Sequence, residues 1–251
     1  MESKPEIIKS NLLAAEGGLI HGISTMAGGS APFYNNLSKH VGDDISEVMA
    51  NRERFFGELG LGVDISTGKF CHANQVHSAH ATIVNDEGLY PKTDALVTDK
   101  RGLNLVISVA DCLPVMIYDK SKGVIANVHS GWRGTQQGIV TNTLKLMKSE
   151  FGCRGEDMLV FAGPGISCDK FEVGSEVAEM FEEKYVKMKE GKYFVDISMV
   201  VLDQLRKAGV LEANIERSGY CTFSSGGYLH SYRRDGGRSG RMFAVIGMKE
   251  G

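Results

Sequence analysis

Apolar positions along the chain fall into short β-branched runs that alternate with stretches whose apolar residues recur at helical spacing. Leu103–Ala110 and Val124–Val128 read as buried strands, because both are β-branched and bounded by turn residues. The first run ends on Asp111-Cys112, the second on His129, and Ser130-Gly131-Trp132-Arg133-Gly134 follows. Further strands are predicted at Leu19–Ser24, Lys69–Ala73, Ala81–Asn85, Asp94–Thr98, Met158–Gly163, Ile215–Ser218 and Met242–Met248. Helices are predicted from an Asp44 cap to about Leu59, from Thr135 to about Phe151, over Glu176–Lys189, and over Ile197–Ala208 behind an Asp196 cap. Loops rich in small residues fill Thr25–His40 and Ser224–Arg241.

Strands come in pairs between helices rather than in strict βα alternation, which predicts an α+β fold with mixed sheets. No repeat or linker interrupts the chain, so residues 1–251 read as a single domain. GxGxxG and GxxxxGK[ST] are both absent, which weakens dinucleotide and P-loop readings.

Composition narrows the class further. Apolar residues make up 42% and charged residues 24%, the balance of an ordinary soluble globular protein. A net charge of −3 gives no global basic field for nucleic acid or anionic membrane. The N-terminus MESKPEIIKS lacks the apolar core of a signal peptide, and no apolar run approaches the roughly 18 residues that span a bilayer. Five cysteines with no CxxC pair fit free thiols in a reducing cytosol, so a cytoplasmic location is expected; a monomer is the working expectation, on which the sequence carries no signal.

Candidate chemistry then concentrates at strand ends. His77, Cys112 and His129 each lie at or just beyond a predicted strand, and three neighbouring strands could bring them to one point. Two imidazoles and a thiolate suit zinc and leave a fourth position open, as catalytic zinc sites do. The separations are not a local metal signature, and the same residues permit Cys112 as a nucleophile with His129 as base and Asp111 as orienter. An inert buried Cys112 is the plainest alternative. Arg133 opens a predicted helix, where dipole and guanidinium together favour an anion, or it stacks on Trp132. Four arginines fall within the eleven residues Ser231–Arg241, among them Arg233 and Arg234, and a glycine-rich loop could fold them over phosphate. Glu172, after the Gly163-Pro164-Gly165 turn, is kept as an acid or purine contact.

HGISTMAGGS (21–30), NLSKHVGDD (36–44), NQVH (74–77), TDALVTDKRG (93–102), VADCLPV (109–115), VHSGWRG (128–134), GPGIS…FEVG (163–174) and SYRRDGGRSGRM (231–242) closely resemble the laccase-domain, or YfiH-like, family. These runs span nearly the whole chain in family order. The resemblance implies a four-layer α/β/β/α sandwich and a metal site of His77, Cys112 and His129, with zinc the usual ion and copper the alternative. It implies phosphorolysis of adenosine, inosine, guanosine and methylthioadenosine, with adenosine deamination beside it. Purine nucleosides and phosphate are then the partners, with Arg133, Arg233, Arg234 and Glu172 as candidate substrate contacts. Copper-dependent phenol oxidation and correction of peptidoglycan precursors are the family's other associations. A non-catalytic binding module is the remaining reading, disfavoured by so many reactive groups at strand ends. Three positions depart from the pattern: Met26 where arginine is usual, Ser78 where glycine is common, and Ser130 where alanine is common.

Overall fold

The computed structural model describes residues 6–61 and 69–250, so the first five residues of the polar N-terminus lie outside the described residues. In chain order come β1 (Ile7–Ile8), α1 (Asn11–Ala14), β2 (Leu19–Ser24), α2 (Ile45–Glu58), β3 (Phe70–Asn74), β4 (Ala81–Ile83), β5 (Gly88–Pro91) and β6 (Ala95–Thr98). The central block supplies β7 (Asn104–Val109), β8 (Leu113–Asp119), β9 (Val124–Ser130), α3 (Trp132–Gln136) and α4 (Ile139–Phe151). The chain continues through β10 (Met158–Ala162), β11 (Glu172–Val173), α5 (Ser175–Ala178), β12 (Val186–Lys189), β13 (Lys192–Val195), α6 (Ile197–Lys207), β14 (Ile215–Arg217) and β15 (Met242–Met248).

Two six-stranded sheets dominate, in the orders β1-β2-β15-β7-β3-β5 and β14-β10-β8-β9-β6-β4, with a small third sheet β11-β13-β12. Both large sheets are mixed, as the paired-strand pattern predicts. β3 runs parallel to β5 and β7 while β15 runs antiparallel to β2 and β7. In the second sheet β10–β14 and β4–β6 are the parallel pairs.

Three apolar clusters hold these elements. Leu105, Ile107 and Ile246 of the first sheet pack with Leu96, Met116, Ile125 and Phe161 of the second. Asn127 is buried among them and its Nδ2 donates to the carbonyls of Leu105 and Ala244, both at 2.8 Å. Phe55 and Phe56 of α2 pack on Phe70, Val106, Phe243 and Val245 of the first sheet. Ile139, Val140, Leu144 and Met147 of α4 join Val201 and Leu205 of α6 on Val115, Ile117, Ala126, Val128 and Val160 of the second. Strands covered on both faces favour apolar residues on both alternating sets of positions, which is why β7 and β9 read as apolar runs rather than as alternating ones.

Three expectations need correction. Leu113–Asp119, to which the sequence pattern assigns no element, is a seven-residue strand central to the second sheet. The helix expected from Thr135 starts at Trp132 and is interrupted at Gly138, whose φ of 81° only glycine adopts cheaply. Glu176–Lys189 is one short helix, a turn and a strand. Its charged end is a hairpin whose Glu190-Gly191 loop has φ of 51° and 75°, the two-residue turn that suits strand twist.

Candidate metal and substrate site

His77 lies in the turn after β3, Cys112 in the turn between β7 and β8, and His129 near the end of β9. The strand ends converge, and one ligand atom from each residue falls within 4.8 Å of the others. The two imidazoles meet edge to face, with centroids 4.9 Å apart and planes at 81°. Backbone strain accompanies the site, since His77 and Asp111 are non-glycine residues with φ of 60° and 90°.

A buried carboxylate organises the histidines. Asp94, fully buried, accepts a hydrogen bond from His129 Nδ1 at 2.8 Å, which leaves Nε2 of His129 for the cysteine side. It also accepts from the backbone N–H groups of His77 at 3.0 Å and Ser78 at 2.7 Å, and from the Ser78 hydroxyl at 2.8 Å. One side chain therefore fixes the tautomer of one histidine and the turn that carries the other. Burial raises its pKa, but the bonds from His129 and Ser78 outweigh this and hold it at about 2. Asp94 takes the orienting role that sequence reasoning assigned to Asp111.

Charges at Cys112 and His129 support each other. Burial pushes the Cys112 thiol up, and the charges and hydrogen bonds of His129 and His77 reverse this and bring it down to about 6. Burial pushes His129 down, and the Cys112 thiolate and Asp94 carry it up to about 9. The sulfur is thus held as a thiolate, the form that binds metal or acts as nucleophile.

The residues fit a metal ion. The donors are N, S and N, with His129 Nδ1 already engaged as ligating histidines usually are. Gly131 closes the cradle: a Cβ there would lie 2.9 Å from His77 Cδ2 and 3.0 Å from Cys112 Sγ. Gly131→Ala is therefore expected to lower zinc affinity by tenfold or more, as roughly 10–100-fold follows from displaced ligand geometry. Chelator competition measures this, and an unchanged affinity would show the cradle to be dispensable.

The predicted substrate contacts separate into distinct environments. Arg133 is exposed in the first turn of α3, its guanidinium 4.3 Å above the Trp132 ring, so the stacking alternative is the observed one. α3 has only five residues, and its dipole is accordingly small. Arg233 donates Nη1 to the Glu172 carbonyl at 2.7 Å and lies 5.4 Å from the Phe171 ring centre. Arg234 uses Nε and both Nη groups on Asp235, Thr222 and Leu229, which makes it an anchor of its own loop. The Glu172 carboxylate pairs with Lys192 at 2.9 Å.

Sequence reasoning missed Asp94 and Gly131. Arg241 is half-buried, stacks 5.3 Å from the Tyr232 ring centre, and feels the charges of Cys112 and Asp111. Asp94 sits at the head of an otherwise apolar strand, and an acid in that place was the available signal.

The sequence profile of the family described as multi-copper polyphenol oxidoreductase laccase matches residues 20–249. A purine nucleoside phosphorylase of Bacteroides thetaiotaomicron is 33% identical over 257 aligned positions, covering 93% of both chains. Adenosine deaminase RL5, from an unknown prokaryotic organism, is 31% identical over 84% of this chain and 86% of its own. The crystal structure of YlmD from Geobacillus stearothermophilus superposes with a TM-score of 0.88 at 30% identity, over 96% of this chain and 94% of that one. With the motif order and the His77–Cys112–His129 convergence already in place, these likenesses show that the chain belongs to the multi-copper polyphenol oxidoreductase laccase, or YfiH-like, family.

Proposed function

We propose that this protein is a zinc-dependent purine nucleoside phosphorylase acting on adenosine, inosine, guanosine and methylthioadenosine, with a companion adenosine deaminase activity. The observation that carries the reading is the His77–Cys112–His129 cluster with Asp94 behind it, in a chain whose relatives bear those two enzyme names. The packing of α2, first sheet, second sheet, and α4 with α6 supports a single four-layer α/β/β/α sandwich as its frame.

His77, Cys112 and His129 would hold the ion, and zinc, when bound, supplies a Lewis acid. The chain's own groups do the rest. Asp94 keeps His129 in one tautomer and orientation. Phosphorolysis forms a bond from phosphate oxygen to C1′ and breaks the bond from C1′ to the base nitrogen. The Arg133 guanidinium has no hydrogen-bonded or ionic partner among the described residues, and Arg233 keeps donors beyond the one spent on Glu172, so both can receive the phosphate. Arg234 holds the loop in shape, and Glu172 is neutralised by Lys192, which leaves the purine to other contacts.

Purified protein is expected to release adenine from adenosine only when phosphate is present, and Cys112→Ala to lower that rate by at least a hundredfold, in line with loss of a catalytic metal ligand. Equal release by wild type and Cys112→Ala places the chemistry elsewhere.

Copper-dependent phenol oxidation is the second reading, carried by the family's description. A multicopper oxidase needs a histidine-rich trinuclear cluster beside a mononuclear site, yet the chain has seven histidines and no H-x-H pair. Among the described residues one three-residue cluster of potential ligands is found. Cys/His ligation favours Cu(II) over Zn(II) in intrinsic affinity, so metal analysis of protein purified without added copper separates the two. The thiolate at Cys112 supports a third reading, metal-free hydrolysis of a cell-wall precursor, which alone predicts activity that survives chelation and is lost on alkylation.

A further inference from the structure

Asp111 precedes Cys112, yet its side chain turns away from the histidines. Its Oδ1 accepts the Thr222 hydroxyl at 2.6 Å and its Oδ2 accepts the Arg233 backbone N–H at 2.7 Å. Its carbonyl accepts the Ile166 N–H at 2.9 Å, so three remote segments meet on one residue. The backbone there has φ of 90°, a conformation that a non-glycine residue keeps only where its surroundings enforce it.

The loop at 231–241 needs such an anchor. Gly236 and Gly237 both have positive φ, and a segment this rich in glycine and arginine carries little apolar packing of its own. Thr222 is fully buried and joins the anchor on both sides, giving its hydroxyl to Asp111 while its carbonyl accepts Arg234 Nη1 at 2.9 Å. A hydrogen-bonded path thus runs from the Cys112 turn through Asp111 to Thr222, Arg234 and Arg233.

We propose that Asp111 is a positioning residue whose carboxylate sets the register of the 231–241 loop against Cys112, and so fixes where the guanidinium group of Arg233 meets an anionic co-substrate of the phosphate class. The assignment of phosphate rests on the function proposed above. The clamp rests on the hydrogen bonds alone. Asp111 divides the work with Asp94: one carboxylate shapes the ligand side of the site, the other the anion side.

The test uses the full-length protein and two neighbouring positions. Asp111→Asn replaces the acceptor facing Arg233 N–H or Thr222 with a donor. Hydrogen exchange in a peptide containing Arg233 is expected to rise roughly tenfold or more, the range for a lost charge-assisted bond. KM for inorganic phosphate should rise by a similar factor with a smaller change in kcat, while the cobalt(II)–thiolate absorption of cobalt-loaded protein stays as in wild type. Thr222→Val should move exchange and KM in the same direction, and Thr222→Ser should restore wild-type values. If Asp111→Asn fails to fold, the Thr222 pair carries the comparison. Unchanged exchange at Arg233 overturns the proposal, as does loss of the cobalt–thiolate band together with faster exchange, which would assign Asp111 to the metal turn. Failure of the wild type to cleave any nucleoside removes the phosphorylase reading only, because the exchange and cobalt measurements still decide the clamp.

Discussion

Replacing Asp94 with alanine is expected to cost both stability and metal affinity, and to have the largest effect of any single change outside the three ligands. The carboxylate is fully buried and holds His129 Nδ1, the backbone of His77 and both donors of Ser78. Alanine leaves those donors without their acceptor, the buried His129 Nδ1 among them, and frees the His129 ring to rotate. Breaking a buried pair by removing one partner costs about 3–5 kcal/mol, and loss of a ligand's supporting carboxylate lowers metal affinity by roughly 10–100-fold. Asp94→Asn keeps the shape and one acceptor, so it should fall between alanine and wild type on both measures. Thermal melting of the metal-free protein reads the first effect and chelator competition the second. If Asp94→Ala melts with the wild type and binds zinc equally well, the carboxylate is a bystander.

Much of this was legible in the chain because buried strands advertise themselves. Leu103–Ala110 and Val124–Val128 are mostly apolar on both alternating sets of positions since both faces of β7 and β9 are covered, and the reactive groups at their ends stand out against them. Capping residues were equally readable: Asp44 accepts the Ser46 N–H at 2.7 Å and Asp196 the Met199 N–H at 2.9 Å, as their placement ahead of helical periods predicts. Harder features depend on partners distant in sequence. Nothing local to Thr93-Asp94-Ala95 says that the aspartate will meet His129, because strand pairing of β6 with β9 brings them together. Arg234 looked like a phosphate ligand until the carbonyls of Thr222 and Leu229 took its donors. The stretch 176–189 misled because its charged residues suit an exposed hairpin as well as a helix, and the Glu190-Gly191 turn decided the matter.

The position of Gly131 connects the local and the remote parts of the site. It follows β9 directly and caps α3, so chain connectivity alone places it beside His129. Its lack of a Cβ then lets the His77 turn and the Cys112 turn close on the same space. The glycine is explained by what crosses over it, since its own backbone, at φ of −77°, is open to any residue.

Acidification from pH 7 to pH 4 is expected to weaken the fold steeply through two histidines outside the metal cluster. Burial, aided by the nearby positive charges of Arg52 and Lys39, lowers His72 from 6.5 to about 4. Burial likewise lowers His230 to about 4; Arg241 and Arg234 act in the same direction, and Asp235 and the Asn35 carbonyl oppose them. A histidine with a depressed native pKa binds fewer protons in the folded than in the unfolded chain between the two values. Stability is therefore fully present above about pH 6.5, falls as the pH drops toward 4, and loses nothing further from these groups below that. On the order of 2–3 kcal/mol for each histidine follows from the size of the depressions, a large part of a typical margin of about 5–15 kcal/mol. Asp94, held at about 2, contributes stability that is fully present above its ordinary value of 3.8 and is lost as the pH falls from there to about 2, below this window. Urea midpoints at pH 7, 5.5 and 4 should show the decline in wild type. His72→Gln and His230→Gln should each reduce its slope, because glutamine takes no proton in either state. A double variant with the wild-type slope would assign the decline to other groups, with the Cys112–His129 pair first among them.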